Sequence, residues 1–227
     1  MISVEEALER ILSRVGVLGD EQLPLARALH RVLAERVVAS LDLPPWPNSS
    51  MDGYTLRSAD TTHASPATPA RLTIAGRVAA GHVAERGLQP GEAFRIFTGG
   101  ALPEGADSVI PQEDVSVNGP TLVVPRAVKA GDYVRPRGED VRAGDGVLEP
   151  GRLLGPAEIG ILAALGRSQV RVVRRPRVVI LSTGDEIVDL GGRLGPGQIP
   201  NSNTYSLMAQ VSEAGGEPVS LGVAADR

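Results

Sequence analysis

The chain of 227 residues carries 23 Lys and Arg against 27 Asp and Glu, a formal net charge of −4, which excludes the broad basic footprint of a nucleic-acid binder. At 42% hydrophobic and 22% charged it has the balance of a folded chain, with room for one large domain or two to three small ones. The absence of Cys excludes a disulfide framework, thiolate zinc sites and a cysteine nucleophile; with no charged-then-apolar leader and no apolar run near the ~20 residues of a membrane span, a cytoplasmic protein is expected.

Ser3-Val4-Glu5-Glu6 has capping-box spacing, and Ala7, Leu8, Ile11 and Leu12 follow at helical period, which predicts a helix to about Val15. A second helix is predicted from Pro24 through Leu25, Leu29, Val32 and Leu33 to about Val37. Then comes the rigid linker Pro44-Pro45-Trp46-Pro47-Asn48, which holds the chain's one tryptophan. From Arg71 to Val134 short apolar runs are separated by turn residues. Arg71–Val78, Phe94–Phe97, Ser108–Pro111 and Thr121–Val124 read as strands of a compact β module.

Helical signals return at Leu154–Ile159, with Pro156 suited to a first turn and Gly166 to a stop after Leu165. The strand-like Gln169–Val173 precedes Val178-Val179-Ile180-Leu181, an apolar run of the kind a doubly covered parallel strand shows. A Gly-rich loop, a helix beginning near Asn201–Asn203 and ending at Gly215-Gly216, and the strand-like Val219-Ser220-Leu221 complete one βαβ unit. A single such unit leaves an apolar sheet face uncovered, and Leu221 lies six residues from the end of the sequence; a domain that continues, or a partner that covers it, is expected.

Four loops carry acids or hydroxyls where a turn does not require them: Asp52-Gly53, Phe97-Thr98-Gly99-Gly100, Gly138-Glu139-Asp140 and Asp185-Glu186. The last sits at the carboxyl end of the predicted parallel strand, where open α/β sheets bind ligands. Convergent carboxylates suit Mg²⁺, which prefers oxygen ligands and bridges to phosphates, and the glycines beside Thr98 would let backbone N–H groups approach an oxyanion. Each has a purely structural counterpart. Asp52-Gly53 is a common turn pair, Glu139-Asp140 a solvated turn, Asp185-Glu186 a helix cap, and Arg135, Arg137 and Glu139 a surface charge cluster. His30, His63 and His82 are scattered and point to no metal site.

Four stretches in one order are similar to the molybdopterin molybdenumtransferase (MoeA) family, which includes the gephyrin E domain: PPWPNSSMDGYTLR; RIFTGGALPEGADSVIPQED; VRPRGEDVRAGD with LGPAEIGILAALG; and RPRVVILSTGDEIV followed by GQIPNSNTYSLMAQVSEAGGEPVSLG. The resemblance implies an α/β multidomain fold: an elongated α+β scaffold (residues 1–46 and 139–173), an inserted β-rich module (47–138) and the truncated start of a parallel α/β, molybdopterin-binding-like domain (174–227). It implies Mg²⁺-assisted insertion of molybdate, a substrate, into adenylylated molybdopterin, with release of AMP. A homodimer is implied, along with a molybdopterin adenylyltransferase and molybdoenzymes as partners, and neither nucleic acid nor membrane. Matched motif by motif, the catalytic positions are Asp52, Thr98, Asp140 and Glu186, with Asp52 and Glu186 as metal or water-positioning carboxylates. Asn48, Ser49, Gly99, Ser182, Thr183, Gly184 and Asp185 line the substrate. Ser50, Thr55 and Gly100-Ala101 depart from the family's usual residues, and Trp46 replaces a smaller aromatic whose ring is expected to pack at a domain boundary. The alternative is a catalytically incomplete fragment that serves as a pterin- or nucleotide-binding or dimerisation module.

Overall fold

The computed structural model describes residues 2–79 and 81–226. Its main elements open with helix α1 (Val4–Leu12) and strand β1 (Asp20–Pro24), followed by strands β2 (Gly53–Leu56), β3 (Ala70–Val78), β4 (Glu92–Ile96), β5 (Ser108–Pro111), β6 (Ser116–Asn118) and β7 (Thr121–Val124). Helix α2 (Pro156–Ala164), strands β8 (Gln169–Val173) and β9 (Arg177–Thr183), helix α3 (Ser202–Glu213) and strand β10 (Glu217–Ala224) complete this mixed α/β chain. Contacts divide it into two compact units, Val38–Val147 and the residues on either side of that stretch.

In the unit formed by the two ends, the Ser3 hydroxyl accepts the Glu6 N–H at 3.1 Å, so α1 starts where its capping box predicts; it stops at Leu12, short of the expected Val15. Nothing in α1 is buried, and Val4, Leu8, Ile11 and Leu12 form an exposed apolar stripe. The helix predicted over 24–37 does not form. Asp20–Pro24 instead pairs antiparallel with β8, a 3₁₀ turn covers Leu25–Arg27, and Leu33 bridges to Val172. The apolar spacing is real but serves an extended path: Leu33 is fully buried while Leu29 and Val32 are exposed, and His30 at φ 59° interrupts any helix. Non-local pairing outweighs the weak local preference. At α2 the Glu158 carboxylate accepts the Gly155 N–H at 3.0 Å and pairs with Arg152, fixing the start that Pro156 favours.

Strands β9 and β10 are parallel, joined through α3 as the sequence predicts. The run Val178–Leu181 is not covered on both faces. Ile180 is 8% exposed, whereas Val179, Leu181 and Leu221 are each more than half exposed, so one face of this two-stranded sheet remains bare. Among the described residues no helix is long and apolar enough to cross a membrane.

The Val38–Val147 unit holds a six-stranded sheet in the order β5-β2-β4-β3-β7-β6, antiparallel except between β3 and β4. β5 and β7 match the predicted ranges, β3 and β4 begin one or two residues earlier, and β2 was not foreseen because it emerges directly from the Asp52-Gly53 pair read as a turn. All four residues of β2 are buried. One core gathers Tyr54, Leu56, Leu72, Ile110 and Leu122, and another Val78, Phe94, Ile96 and Val109. Trp46 keeps 52% of its surface exposed within the chain, and Pro45 and Pro47 on either side of it are exposed as well.

Candidate functional site

Two chain segments meet where β2 begins and β4 ends. Asn48 and Ser49 pair antiparallel with Val134 and Arg135, and the Ser49 carbonyl accepts the Gly99 N–H at 2.8 Å while its own N–H donates to Gly100 at 3.0 Å. This lacing fixes the Thr98 loop against the Asp52 turn. Gly53 then enters β2 so close to β5 that a Cβ would lie 2.0 Å from the Ile110 carbonyl oxygen; the Asp-Gly pair is dictated by interstrand approach rather than by a turn.

Within that frame Asp52 Oδ1 accepts two hydrogen bonds from Thr98, from the N–H at 2.8 Å and from Oγ1 at 2.9 Å. The Thr98 amide, then its hydroxyl, and then the Arg95 guanidinium hold the Asp52 carboxyl below the usual carboxylate range against partial burial, so it is anionic at neutral pH. Oδ2 accepts no hydrogen bond among the described residues. One carboxylate oxygen is therefore fixed and the other left open. The backbone oxyanion cradle expected at Thr98-Gly99-Gly100 is absent: the three amides donate to Asp52, Ser49 and Phe97.

Asp140 lies in the same unit but is engaged elsewhere. Both of its oxygens accept Arg135 Nη2, at 2.8 and 2.7 Å, while Arg135 Nε donates to Glu139 at 2.7 Å, so the expected charge cluster includes Asp140. Arg137 pairs instead with Asp42, a carboxylate the sequence reading passed over; the Ala143 N–H, at 2.8 Å, is the main cause of its lowered pKa. Asn48 carries a buried Oδ1 with no hydrogen-bond partner in the structure, an unmet acceptor beside the Thr98 loop.

Glu186 belongs to the other unit, exposed just beyond β9. Gly184, buried at φ 138°, allows the carboxylate to fold back. A Cβ there would sit 2.6 Å from Glu186 Oε2. Ser182 Oγ turns toward α3, 2.6 Å from Thr204 Oγ1 and 3.3 Å from Asn201 Oδ1, Thr183 is exposed, and Asp185 Oδ1 accepts the Asp226 N–H at 3.3 Å. Asn201, 2% exposed, caps α3 and leaves its buried Nδ2 unpartnered. The sequence places the helix start near Asn201–Asn203, but neither the cap nor the unmet donor was foreseen.

Among the described residues no group of three or more acidic or histidine side chains comes together as a metal cage. A single anionic carboxylate with one free oxygen, as at Asp52, still fits Mg²⁺, which keeps most of its water and is held by one or two carboxylates plus substrate phosphates.

These features define a mixed α/β protein whose acid-and-hydroxyl loop is held by strand ends. Residues 2–166 match the family described as the MoeA N-terminal region (domain I and II). The chain is 40% identical to a molybdopterin molybdenumtransferase of Nostoc sp., covering 100% of this chain and 53% of that protein. It is 37% identical to the Bacillus subtilis molybdopterin molybdenumtransferase, covering 99% and 53%. A crystal structure of the molybdopterin biosynthesis moeA protein from Pyrococcus horikoshii OT3 superposes with a TM-score of 0.93 at 35% identity, over 100% of this chain and 61% of that one. The chain belongs to the MoeA family. It spans about half the length of the curated relatives it matches, 53% of both the Nostoc and the Bacillus proteins.

Proposed function

We propose that this chain serves molybdenum cofactor biosynthesis as part of a molybdopterin molybdenumtransferase, which inserts molybdate into adenylylated molybdopterin and releases AMP. The observation that carries this reading is the Asp52–Thr98 clamp, a carboxylate that is anionic at neutral pH, with one oxygen fixed by two donors and the other free. Breaking a phosphoanhydride requires groups that hold the reacting oxygens in place, and the dithiolene sulfurs belong to the substrate, so the lack of Cys is compatible.

Asp52 Oδ2 would hold Mg²⁺ or the attacking oxygen, while Thr98 keeps the carboxylate from rotating. Bound there, Mg²⁺ would neutralise charge on phosphate oxygens. Glu186, at the carboxyl end of β9 in the other unit, is proposed by itself as a metal- or water-positioning carboxylate, and Asp140 supports the Asp52 loop through Arg135. Asn48 Oδ1, with its unmet hydrogen bond, offers an acceptor to a substrate donor such as a pterin N–H. The proposal includes a cytoplasmic homodimer, a molybdopterin adenylyltransferase and molybdoenzymes as partners, and the division into scaffold, β module and α/β segment at residues 46/47, 138/139 and 173/174.

The test is Mg²⁺-dependent AMP release from adenylylated molybdopterin with molybdate, for this chain and its Asp52→Ala variant. Release that the substitution abolishes supports the reading. Substrate that binds to the parent chain without any release leaves the pterin- or nucleotide-binding module.

A further inference from the structure

Strands β3 and β4 run parallel, and their register shifts between Ile74 and Gly76, where one extra residue of β3 is accommodated as a bulge. Side chains alternate faces along a strand, so a one-residue shift decides which β3 residues join which face. With the bulge, Val78 pairs with Ile96 and both are fully buried, while Arg77 pairs with Arg95 and shares its face. Without it, Arg77 would stand beside Ile96. Glycine suits the bulge at position 76, where a Cβ would press on the Phe94 ring at 3.2 Å.

The two side chains thus leave the sheet from paired positions, and both guanidinium groups lie against the Phe97 ring. Like charges directly opposite in a sheet are destabilising, whereas opposite charges there contribute favourably. No ion pair reaches either arginine among the described residues. Aromatic faces carry both side chains, and Arg95 also acts on the Asp52 carboxylate without pairing with it: Arg77 lies over Phe97 at 4.8 Å, and Arg95 over the same ring at 5.2 Å and over Tyr54 at 5.0 Å. Stacking orients a guanidinium without using its N–H donors, and Arg95 gives one of its own to Gln112. The pair flanks Phe97, the residue before Thr98, whose loop amides are already committed.

We propose that Arg77 and Arg95 form a binding site for a tetrahedral oxyanion, either a phosphate group of the substrate or free molybdate. Two arginine forks on one sheet face match the oxygens of such a group, and the anion removes the repulsion between them. The site supplies the anion-binding donors that the Thr98 loop lacks. Its assignment to the substrate rests on the proposed function; its affinity for an oxyanion does not.

The experiment titrates inorganic pyrophosphate, and separately molybdate, into the full chain by calorimetry at low salt. The variants are Arg77→Gln, Arg95→Gln and, as an equal change of charge, Arg71→Gln, which alters an exposed residue of the same strand paired with Val123. Both site variants should weaken binding about tenfold or more, the loss of one charge-assisted hydrogen bond, and Arg71→Gln should leave it unchanged. Weakening confined to pyrophosphate assigns the site to a substrate phosphate, and weakening confined to molybdate assigns it to the free oxyanion. Should Arg95→Gln unfold the sheet by losing its place over Tyr54, Arg77→Gln carries the test alone, since its parent side chain is exposed. Failure of the parent to bind either probe, or equal weakening by all three variants, overturns the proposal. Oxyanion binding without AMP release would instead overturn the functional reading and leave this site standing.

Discussion

Substituting Gly53 by Ala puts a methyl group where the backbone of β2 and β5 leaves no room. The new carbon would lie 2.0 Å from the Ile110 carbonyl oxygen, 2.9 Å from its carbon and 3.1 Å from Pro111 Cα. All three are main-chain atoms of a paired strand, so no side-chain rotation relieves the clash. Favourable carbon contacts begin near ~3.5 Å, and the strands must part by more than about an ångström to restore one. Overpacking of this kind costs ~1–3 kcal/mol, and each ladder hydrogen bond lost as the strands separate adds ~1 kcal/mol, for a total of about 3–4 kcal/mol. At ~4 °C per kcal/mol for a domain of ~100 residues, the transition of the Val38–Val147 unit should fall by roughly 12–16 °C in scanning calorimetry. Gly76→Ala is the comparison, because there the Cβ meets the edge of the Phe94 ring at 3.2 Å and a ring can shift. That variant should lose less than ~5 °C. A Gly53→Ala transition within ~3 °C of the parent, or a larger loss for Gly76→Ala, would refute the argument that backbone approach dictates glycine at the start of β2.

Thr98→Val removes one of two donors to Asp52 Oδ1, so the Asp52 carboxyl should titrate higher in a ¹³C NMR titration, toward the ordinary carboxylate value; an unchanged titration would contradict the clamp. Because the folded value is depressed, the clamp's contribution is present above that ordinary value, about 4, and is lost only as pH falls through the depressed one, so the Thr98 amide signal should hold steady from pH 8 to 5 and move at more acid pH. Ile110→Ala, at a fully buried position of the first core, should cost ~2–5 kcal/mol in denaturant unfolding. A Leu8→Glu, Ile11→Glu double variant of α1 should leave the Tm of the chain unchanged in scanning calorimetry, since neither side chain is buried within the chain; a fall of several degrees would contradict that exposure. In hydrogen exchange, β9 and β10 should open before β2 and β4, as Val179, Leu181 and Leu221 leave their sheet half covered; slow exchange across Val178–Leu221 would count against this.

What could be read in advance follows from how locally each feature is determined. The strands Ser108–Pro111, Thr121–Val124 and Gln169–Val173 stand between unambiguous turns, and the N-terminus of α1 is written in Ser3 and Glu6; these matched. Residues 20–37 misled because Leu25, Leu29, Val32 and Leu33 sit at helical spacing while the decisive partner, β8, lies more than 130 residues away. β2 was hidden for a related reason: Asp-Gly signals a turn locally, and only the nearness of β5 reveals that glycine is there to admit a neighbouring carbonyl.

The candidate site divides along the same line. Asp52 and Thr98 were singled out by residue type, and the structure joins them through two hydrogen bonds across 46 positions of sequence. Arg95 stood in plain view in the quoted RIFTGG stretch, yet nothing local distinguishes it from a solvated strand residue. Its significance depends on Arg77, and Arg77 reaches it only because of the bulge beside Gly76. A strict alternation read along β3 assigns Arg77 and Val78 to the wrong faces. The two residues that best account for anion recognition are therefore those that a periodic reading would have discarded, and the irregularity that displaces them is the feature to disturb first when testing the site.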